Sequence, residues 1–452
     1  MDRPADLSPT RGLGSSVAVW IALVAFLLNG VTGATGGRRP DRTPRVTKIK
    51  VPLLSRSDIG VPRFSNPARI TNPLLPISQL TQVLQLGAEG GDELRFEVTL
   101  LPGTKTVEWD GRQVTTVVSQ LVAYTNGQVV EVAKDFYAQA DDGAVWHFGE
   151  EVANYDEGVL VDNEGSWLAG LDARPAMVMP GSPRVGDVFR SGNRPGQGPE
   201  EVTITSTDQT VDGPAGRIGG ALLVREQLVD GTVEAKIFAP GYGEFNARVS
   251  SQDELYNVAV AVPTDAVPGA VPGELTTMSA GAERILAGGR PEPGGPGKMS
   301  WAQVTASLDE MTAAWQRNPA GKAPKMLVSQ MNDRFADLVG AVAARHPATV
   351  QLAAIGVAQA SLDLQLRHRP PGEVDRDRLR LGARQLQMDA TSGDTAAVDS
   401  DVVVLDAVWA RIGQPPGPAR APLDAALLDL QGAASARDLA RVSTIAGSLP
   451  VP

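Results

Sequence analysis

The chain of 452 residues contains no cysteine. Disulfides, thiolate nucleophiles, thiolate-ligated metals and iron–sulfur clusters are therefore excluded, and packing alone must hold the fold. Histidine is nearly as scarce: His147, His346 and His368 are the only three, too few for a centre built mainly of imidazoles. Basic charge is short as well, with 41 Lys and Arg against 52 Asp and Glu and a net charge of −11. A general nucleic-acid binder, which works by neutralising phosphates, is excluded on that ground. HExxH pairs, phosphate-binding loops and nucleophile elbows are missing, and Gly241-Tyr242-Gly243 has neither the third glycine nor the helix of a dinucleotide site. No cofactor is expected.

What is present begins with an address. Arg3 and Arg11 precede an unbroken apolar run from Val17 to Leu28, and small residues follow at Gly30 to Ala34. That is the pattern of a secretory signal, cleaved near Ala34, with an uncleaved membrane anchor as the alternative for residues 1–34. The expected location is exported: extracellular or cell envelope. Residues 35–71 are rich in Arg and Pro and read as a spacer, because frequent proline blocks both helix and central strand.

From Asn72 the chain is dense in Val, Thr and aromatics, with turn signals at Asp110-Gly111, Asn126-Gly127, Asp142-Gly143 and Glu157-Gly158. Their glycines stand 16, 16 and 15 residues apart, which predicts strands of up to about twelve residues in an up-and-down meander. Strands that long twist, so the sheet is expected to curl into a half-barrel or barrel-like form. Further turns are expected at Asp212-Gly213 and Asp230-Gly231, and the β region at 72–248. Taking Asn126-Gly127 as a two-residue turn, Val132 faces Leu121 and Phe136 faces Val117; across the next loop Phe136 faces Phe148 and Ala138 faces Trp146. One continuous face would then carry Val117, Leu121, Val130, Val132, Phe136, Trp146 and Phe148. These are the candidate lining of an apolar ligand site, or else the core.

The segments DFYAQADDGAVWHFGEE, EGSWLAG, AMVMPGSPRVGDVFR and KIFAPGYGEF resemble an uncharacterised family of exported bacterial β-rich proteins and lipoproteins with a YAQDxxGxVWYFGE-type segment. The resemblance covers about 72–245. It implies export and a β-rich organisation and assigns no catalytic residue; the lipidated cysteine of many relatives has no counterpart here.

Residues 249–299 are broken by Pro and Gly and read as a linker, after which helical spacing returns. Ser300 opens a capping-box pattern, and helices are expected at about 324–345, 348–369, 373–391 and 395–412, forming a bundle over 300–412. A Pro-rich break and a short helical tail complete 413–452. The class is thus α+β, an antiparallel curved sheet followed by a helical bundle. The Gly288–Gly297 stretch is expected to be protease-sensitive, with the two halves melting separately.

Between Asp135 and Trp167 the chain carries nine acids and no Lys or Arg. Asp141, Asp142, Glu150 and Glu151 are weak candidates for a cation, weighed against an ordinary solvated surface because no EF-hand spacing is present. His147, beside Glu150 and Glu151, is a candidate ligand or general base. Arg367, Arg376, Arg378, Arg380 and Arg384 are candidates for an anion, weighed against pairing with Asp363, Glu373, Asp375 and Asp377. The leading expectation is a non-catalytic exported binding or structural protein of the envelope, its partner an envelope component or lipid and its oligomeric state open. The alternatives are a hydrolase-type enzyme using an acidic cleft near His147, and a protein-interaction module in the helices.

Overall fold

The structure, a computed structural model, describes residues 55–192, 200–249, 254–288, 299–317, 323–412 and 420–451. The expected signal or anchor at 1–34, the spacer up to residue 54 and nearly all of the Gly288–Gly297 stretch lie outside the described residues.

One large sheet is followed by helices, an α+β arrangement. The strands are β1 (Ser55–Arg56), β2 (Gln82–Glu89), β3 (Asp92–Trp109), β4 (Arg112–Thr125), β5 (Gln128–Gln139), β6 (Val145–Asp156), β7 (Val159–Asp162) and β8 (Trp167–Leu168). They continue as β9 (Ala176–Met179), β10 (Asp187–Gly192), β11 (Glu200–Gly213), β12 (Gly216–Gln227), β13 (Val233–Ala239), β14 (Gly243–Arg248) and β15 (Glu254–Val262). The helices are α1 (Gly273–Gly288), α2 (Trp301–Gln316), α3 (Lys325–Ala344), α4 (Pro347–Gln365), α5 (Pro371–Ser392), α6 (Thr395–Arg411), α7 (Ala421–Ser435) and α8 (Leu439–Gly447). The strand order is open, β1-β10-β11-β12-β13-β14-β15-β2-β3-β4-β5-β6-β7, with β8 and β9 also pairing β6. Among the described strands, only the short β1–β10 pair is parallel.

The turn chemistry works as the dipeptides dictate. Asp110-Gly111, Asn126-Gly127 and Glu157-Gly158 each hold positive φ at both residues, the conformation of the hairpin turns that match strand twist. The meander strands β4, β5 and β6 reach 14, 12 and 12 residues, near the length the glycine spacing predicts. The β11–β12 hairpin differs from expectation. Gly213 pairs with Gly216, so Pro214-Ala215 make the turn rather than Asp212-Gly213.

Two expected boundaries shift. The stretch 249–299 is not simply a linker, since it contains β15 and α1. β15 bridges β14 to β2 and joins the two runs of strands into one sheet. Within the expected spacer, β1 pairs β10, Phe64 packs on Phe148 and Ile70 is wholly buried. Proline stops such a segment from forming a central strand without stopping it from packing.

Gly87 shows how closely β15 approaches. A Cβ there would overlap the Leu255 carbonyl and crowd Tyr256, its partner across the ladder. Gly87→Ala should therefore destabilise the protein by roughly 1–3 kcal/mol or more, the cost of overpacking. Urea unfolding checks this; an unchanged midpoint would mean that β15 sits more loosely than described.

The helices cover one side of the sheet. Leu84, Leu86, Val260 and Val262 pack beneath Met278, Ile285, Ile355 and Leu362. Farther along, Val122, Tyr124 and Val129 meet Val403, Val404 and Ala407 of α6. Helix ends follow ordinary rules: Asp394 and Asp438 cap α6 and α8, and Gly393 ends α5 in the left-handed region. Ser300 stands at the N-cap of α2 but makes no side-chain cap bond, so the expected capping box does not form.

The two halves are also locked by charge. Glu97 on β3 binds Arg95 of its own strand and Arg411 of α6. Asp363 of α4 takes Arg95 at 2.6 Å and Arg378 of α5 at 2.8 Å, and Arg378 reaches Asp375 at 2.9 Å. Three cations meet three carboxylates, and all but Arg95 are buried. The expectation of separately melting halves does not fit this layer, because parting them strands buried charge.

Candidate site on the uncovered sheet face

The sheet side turned away from the helices encloses a hollow of about 80 Å³. Its walls are Val83 and Gln85 of β2, Val98 and Leu100 of β3, Ser119 and Leu121 of β4, Asp135 and Tyr137 of β5, Gly243 and Glu244 of β14, and Tyr256 of β15. Leu75, Ile77 and Leu80, from the segment before β2, close it with Tyr242. The hollow is smaller than the ~150 Å³ cavity that admits benzene.

Of the seven expected lining residues, only Leu121 lines this hollow. The reason is register. An extra residue at Val130 shifts the β4–β5 ladder by one, so Leu121 faces Ala133, Val122 faces Val132 and Val117 faces Tyr137. A one-residue slip sends every later side chain to the other face. Val132 consequently lines a groove of about 730 Å³ between β5–β7 and α6–α7. Phe136 lies under Lys105, whose Nζ is 4.0 Å from the ring centroid. Phe148 joins Phe64 and Trp109 in an edge-to-face cluster, and Trp146 and Val117 are buried in the same core. The expected pairing of Ala138 with Trp146 does form.

A second bulge builds the polar site. Residues 147 and 150 are three apart and would point to opposite faces of a regular strand. Phe136 on β5, however, stands against both Phe148 and Gly149 on β6, so Tyr137 pairs with His147 while Asp135 pairs with Glu150. The extra residue puts His147, Glu150, Asp135 and Tyr137 on one face. Gly149, at φ 135°, permits it: a Cβ there would overlap the Trp167 carbonyl of β8. The sequence signal was the glycine inside a strand pattern, which marks a bulge or close backbone approach.

His147 Nε2 lies 3.2 Å from Asp135 Oδ1, and both side chains are at least 94% buried. Neither atom has a hydrogen bond. Trp167 Nε1 donates to Glu150 Oε1 at 3.1 Å. The His147 ring is stacked on Tyr137, centroids 4.8 Å apart, and meets Trp167 edge-on at 5.2 Å. Ligand atoms of Asp135, His147 and Glu150 all lie within 4.8 Å of one another. The other expected metal candidates are elsewhere. Asp141 accepts from the backbone and hydroxyl of Ser65, Asp142 from the Ala144 amide, and Glu151 pairs with Lys105 at the surface.

The same face carries a second buried cluster. Lys236 Nζ is 2.6 Å from Glu226 and 3.5 Å from Glu234, Ser191 donates to Glu226, and Tyr256 donates to Glu244. Burial pushes Glu234 up to about 7 despite Lys236. Burial, with Asp135 adding to it, pushes Glu131 to about 8. Burial also raises Glu244. In all, six carboxyls, Glu131, Asp135, Glu150, Glu226, Glu234 and Glu244, are buried here with Lys236 and His147 as the buried bases among the described residues.

Most of the arginine candidates are engaged within the protein. Arg378 is spent on Asp363 and Asp375, Arg380 on Asp377, and Arg376 on the Gly372 carbonyl. Arg367 donates to the Asp265 carbonyl, and Arg384 is half-buried farther along α5.

Compared with known protein families, with curated proteins and with solved structures, the chain matches none. No described helix is long and apolar enough to cross a membrane.

Proposed function

We propose that the chain is a non-catalytic, exported binding protein of the cell envelope whose curled sheet takes up a small cationic ligand. Export is supported by the apolar run Val17–Leu28 and its small-residue flank. N-terminal sequencing of the mature chain tests it. Curling is supported by the walls of the hollow. β5 and β14 stand five places apart in the strand order, about 24 Å in a flat sheet at ~4.8 Å per strand. Asp135 and Glu244 nevertheless line one hollow of about 80 Å³. Half-barrel is the form that accommodates both.

The observation that carries the cation is the imbalance of six buried carboxyls against one lysine and one histidine. Buried carboxylates need partners, and those without one hold protons instead. A cation can displace those protons. Thermal unfolding with divalent ions and small alkylammonium ions, beside a fluorescent fatty acid, is the test. A cation should raise Tm with concentration, since ligand binding to the native state adds about 2.7 kcal/mol of stability at 100 times its Kd. The fatty acid should not bind, and Trp146→Ala should lower stability by ~3–5 kcal/mol as a core truncation. Fatty-acid binding abolished by Trp146→Ala in a folded protein would overturn the proposal.

One observation favours the hydrolase alternative: Asp135 and Glu150 do converge on His147. Against it, all three are buried beneath Tyr137 and Trp167 rather than lining an open cleft. Hydrolysis of simple esters or phosphoesters that is lost in His147→Gln would decide for the enzyme.

A further inference from the structure

We infer that Asp135, His147 and Glu150 together bind one first-row divalent transition-metal ion, with Zn²⁺ as its reference. The inference deepens the proposal above by naming the cation and its place.

Four features point to a metal rather than to a satisfied polar core. The β6 bulge brings one imidazole and two carboxylates to a single face, where regular alternation would separate them. Asp135 Oδ1 and His147 Nε2 are buried without a hydrogen bond, although buried polar atoms ordinarily have one. Two of the three ligands are held from outside: the indole of Trp167 fixes one oxygen of Glu150, and Tyr137 and Trp167 pack against the imidazole. Such supporting contacts orient ligands at metal centres. Finally, Asp135 also lines the hollow, which offers space for water in the remaining coordination positions.

The geometry is close to closed. Two ligands on a tetrahedral zinc, at about 2.0–2.2 Å each, stand about 3.3–3.6 Å apart. Asp135 Oδ1 and His147 Nε2, at 3.2 Å, are already near this spacing, and a ligand atom at the 4.8 Å limit of the group reaches it by closing roughly 1.4 Å, within what a side-chain rotation supplies. The donor set selects the class of ion. Imidazole with carboxylate suits Zn²⁺ and its first-row neighbours, whereas Ca²⁺ wants six to eight oxygens that three side chains do not provide.

The test uses the full chain, stripped with chelator and titrated with Zn²⁺, and with Co²⁺ for its visible spectrum. One ion per chain is expected, with X-ray absorption showing a single imidazole ligand. His147→Gln and Asp135→Asn should each weaken binding at least about 100-fold. Trp167→Phe, which removes only the indole donor, should weaken it by about 10-fold. Glu151→Gln, next in sequence but paired with Lys105 at the surface, should leave it unchanged. Circular dichroism establishes that each variant is folded. If the ligand variants unfold, the wild-type stoichiometry and absorption spectrum decide alone. Absence of a stoichiometric ion, Ca²⁺ bound as tightly as Zn²⁺, or binding unchanged in folded His147→Gln would each overturn the assignment. Should an alkylammonium ion stabilise the protein while Zn²⁺ does not bind, the metal site falls and the broader cation reading stands. If no cation stabilises it, both fall.

Discussion

Glu97→Gln should destabilise the whole protein by about 3–5 kcal/mol, the cost of breaking a buried ion pair from one side. Glu97 accepts from Arg95 and Arg411, and Arg411 is held otherwise by Gln120 at 2.7 Å. These cations keep Glu97 far below the ordinary carboxylate range despite its burial. Removing its charge leaves Arg411 buried beside an amide. Because Arg95 also binds Asp363, and Asp363 binds Arg378, the loss spreads from β3 to α4, α5 and α6. Sheet and helices should consequently unfold together. Urea denaturation, read by hydrogen-exchange mass spectrometry on peptides from each half, checks both points. Coincident midpoints that move down together in the variant are expected. Separate midpoints in the wild type would show that the ionic layer does not couple the halves, and an unmoved midpoint would show that the bridge contributes nothing net.

That coupling was the part least legible in the sequence. Asp363 and Arg367 read naturally as a helical pair four residues apart, yet Asp363 serves Arg95, a residue 268 positions away, and Arg378. No local pattern carries such a pairing. Turns were legible because their chemistry is local: Asn126-Gly127 needs positive φ at both positions and adopts it. The helices at 325–344, 347–365, 371–392 and 395–411 were legible for the same reason, since apolar periodicity lies within the segment. Register was lost at the two bulges. A turn fixes pairing only as far as the ladder stays regular, and the bulge at Val130 comes three residues beyond Gly127. The acid run misled in a related way. Asp135 and Glu150 look like the solvated face of an alternating strand, and the sheet buries that face because β2, β14 and β15 share the hollow with β5. β15 itself was hidden by the Pro/Gly composition of 249–299, which marks breaks without excluding a nine-residue strand between them.

Without a bound cation, the protein should be more stable at pH 5 than at pH 8, the reverse of ordinary acid denaturation. Glu131, whose strand neighbours on that face are Ala133 and Asp135 and whose cross-strand partners are Ala123 and Asn154, is pushed up to about 8 by burial and by Asp135. Glu234, facing Lys236, Glu226 and Glu244, is pushed to about 7 by burial, with Lys236 opposing. Both carboxyls have an ordinary value of 4.5. Between 4.5 and these raised values the folded chain holds protons that the unfolded chain has released, so stability falls as pH rises. The contribution is fully present below about 4.5, declines through the window and is gone above about 8. At ~1.4 kcal/mol per unit, each residue accounts for on the order of a few kcal/mol. Glu97 and Asp363, held low by arginine, act in the opposite sense, but their stability is lost only as pH falls through the acid range, below the window that matters here. Urea midpoints measured on chelator-treated protein from pH 5 to pH 8.5 give the slope, and Glu131→Gln should flatten it by removing the larger of the two titrations. A wild-type midpoint that stays level or rises across that range would mean that the two carboxyls ionise in the folded protein as readily as in the unfolded chain, and that water reaches this face of the sheet more than its burial implies.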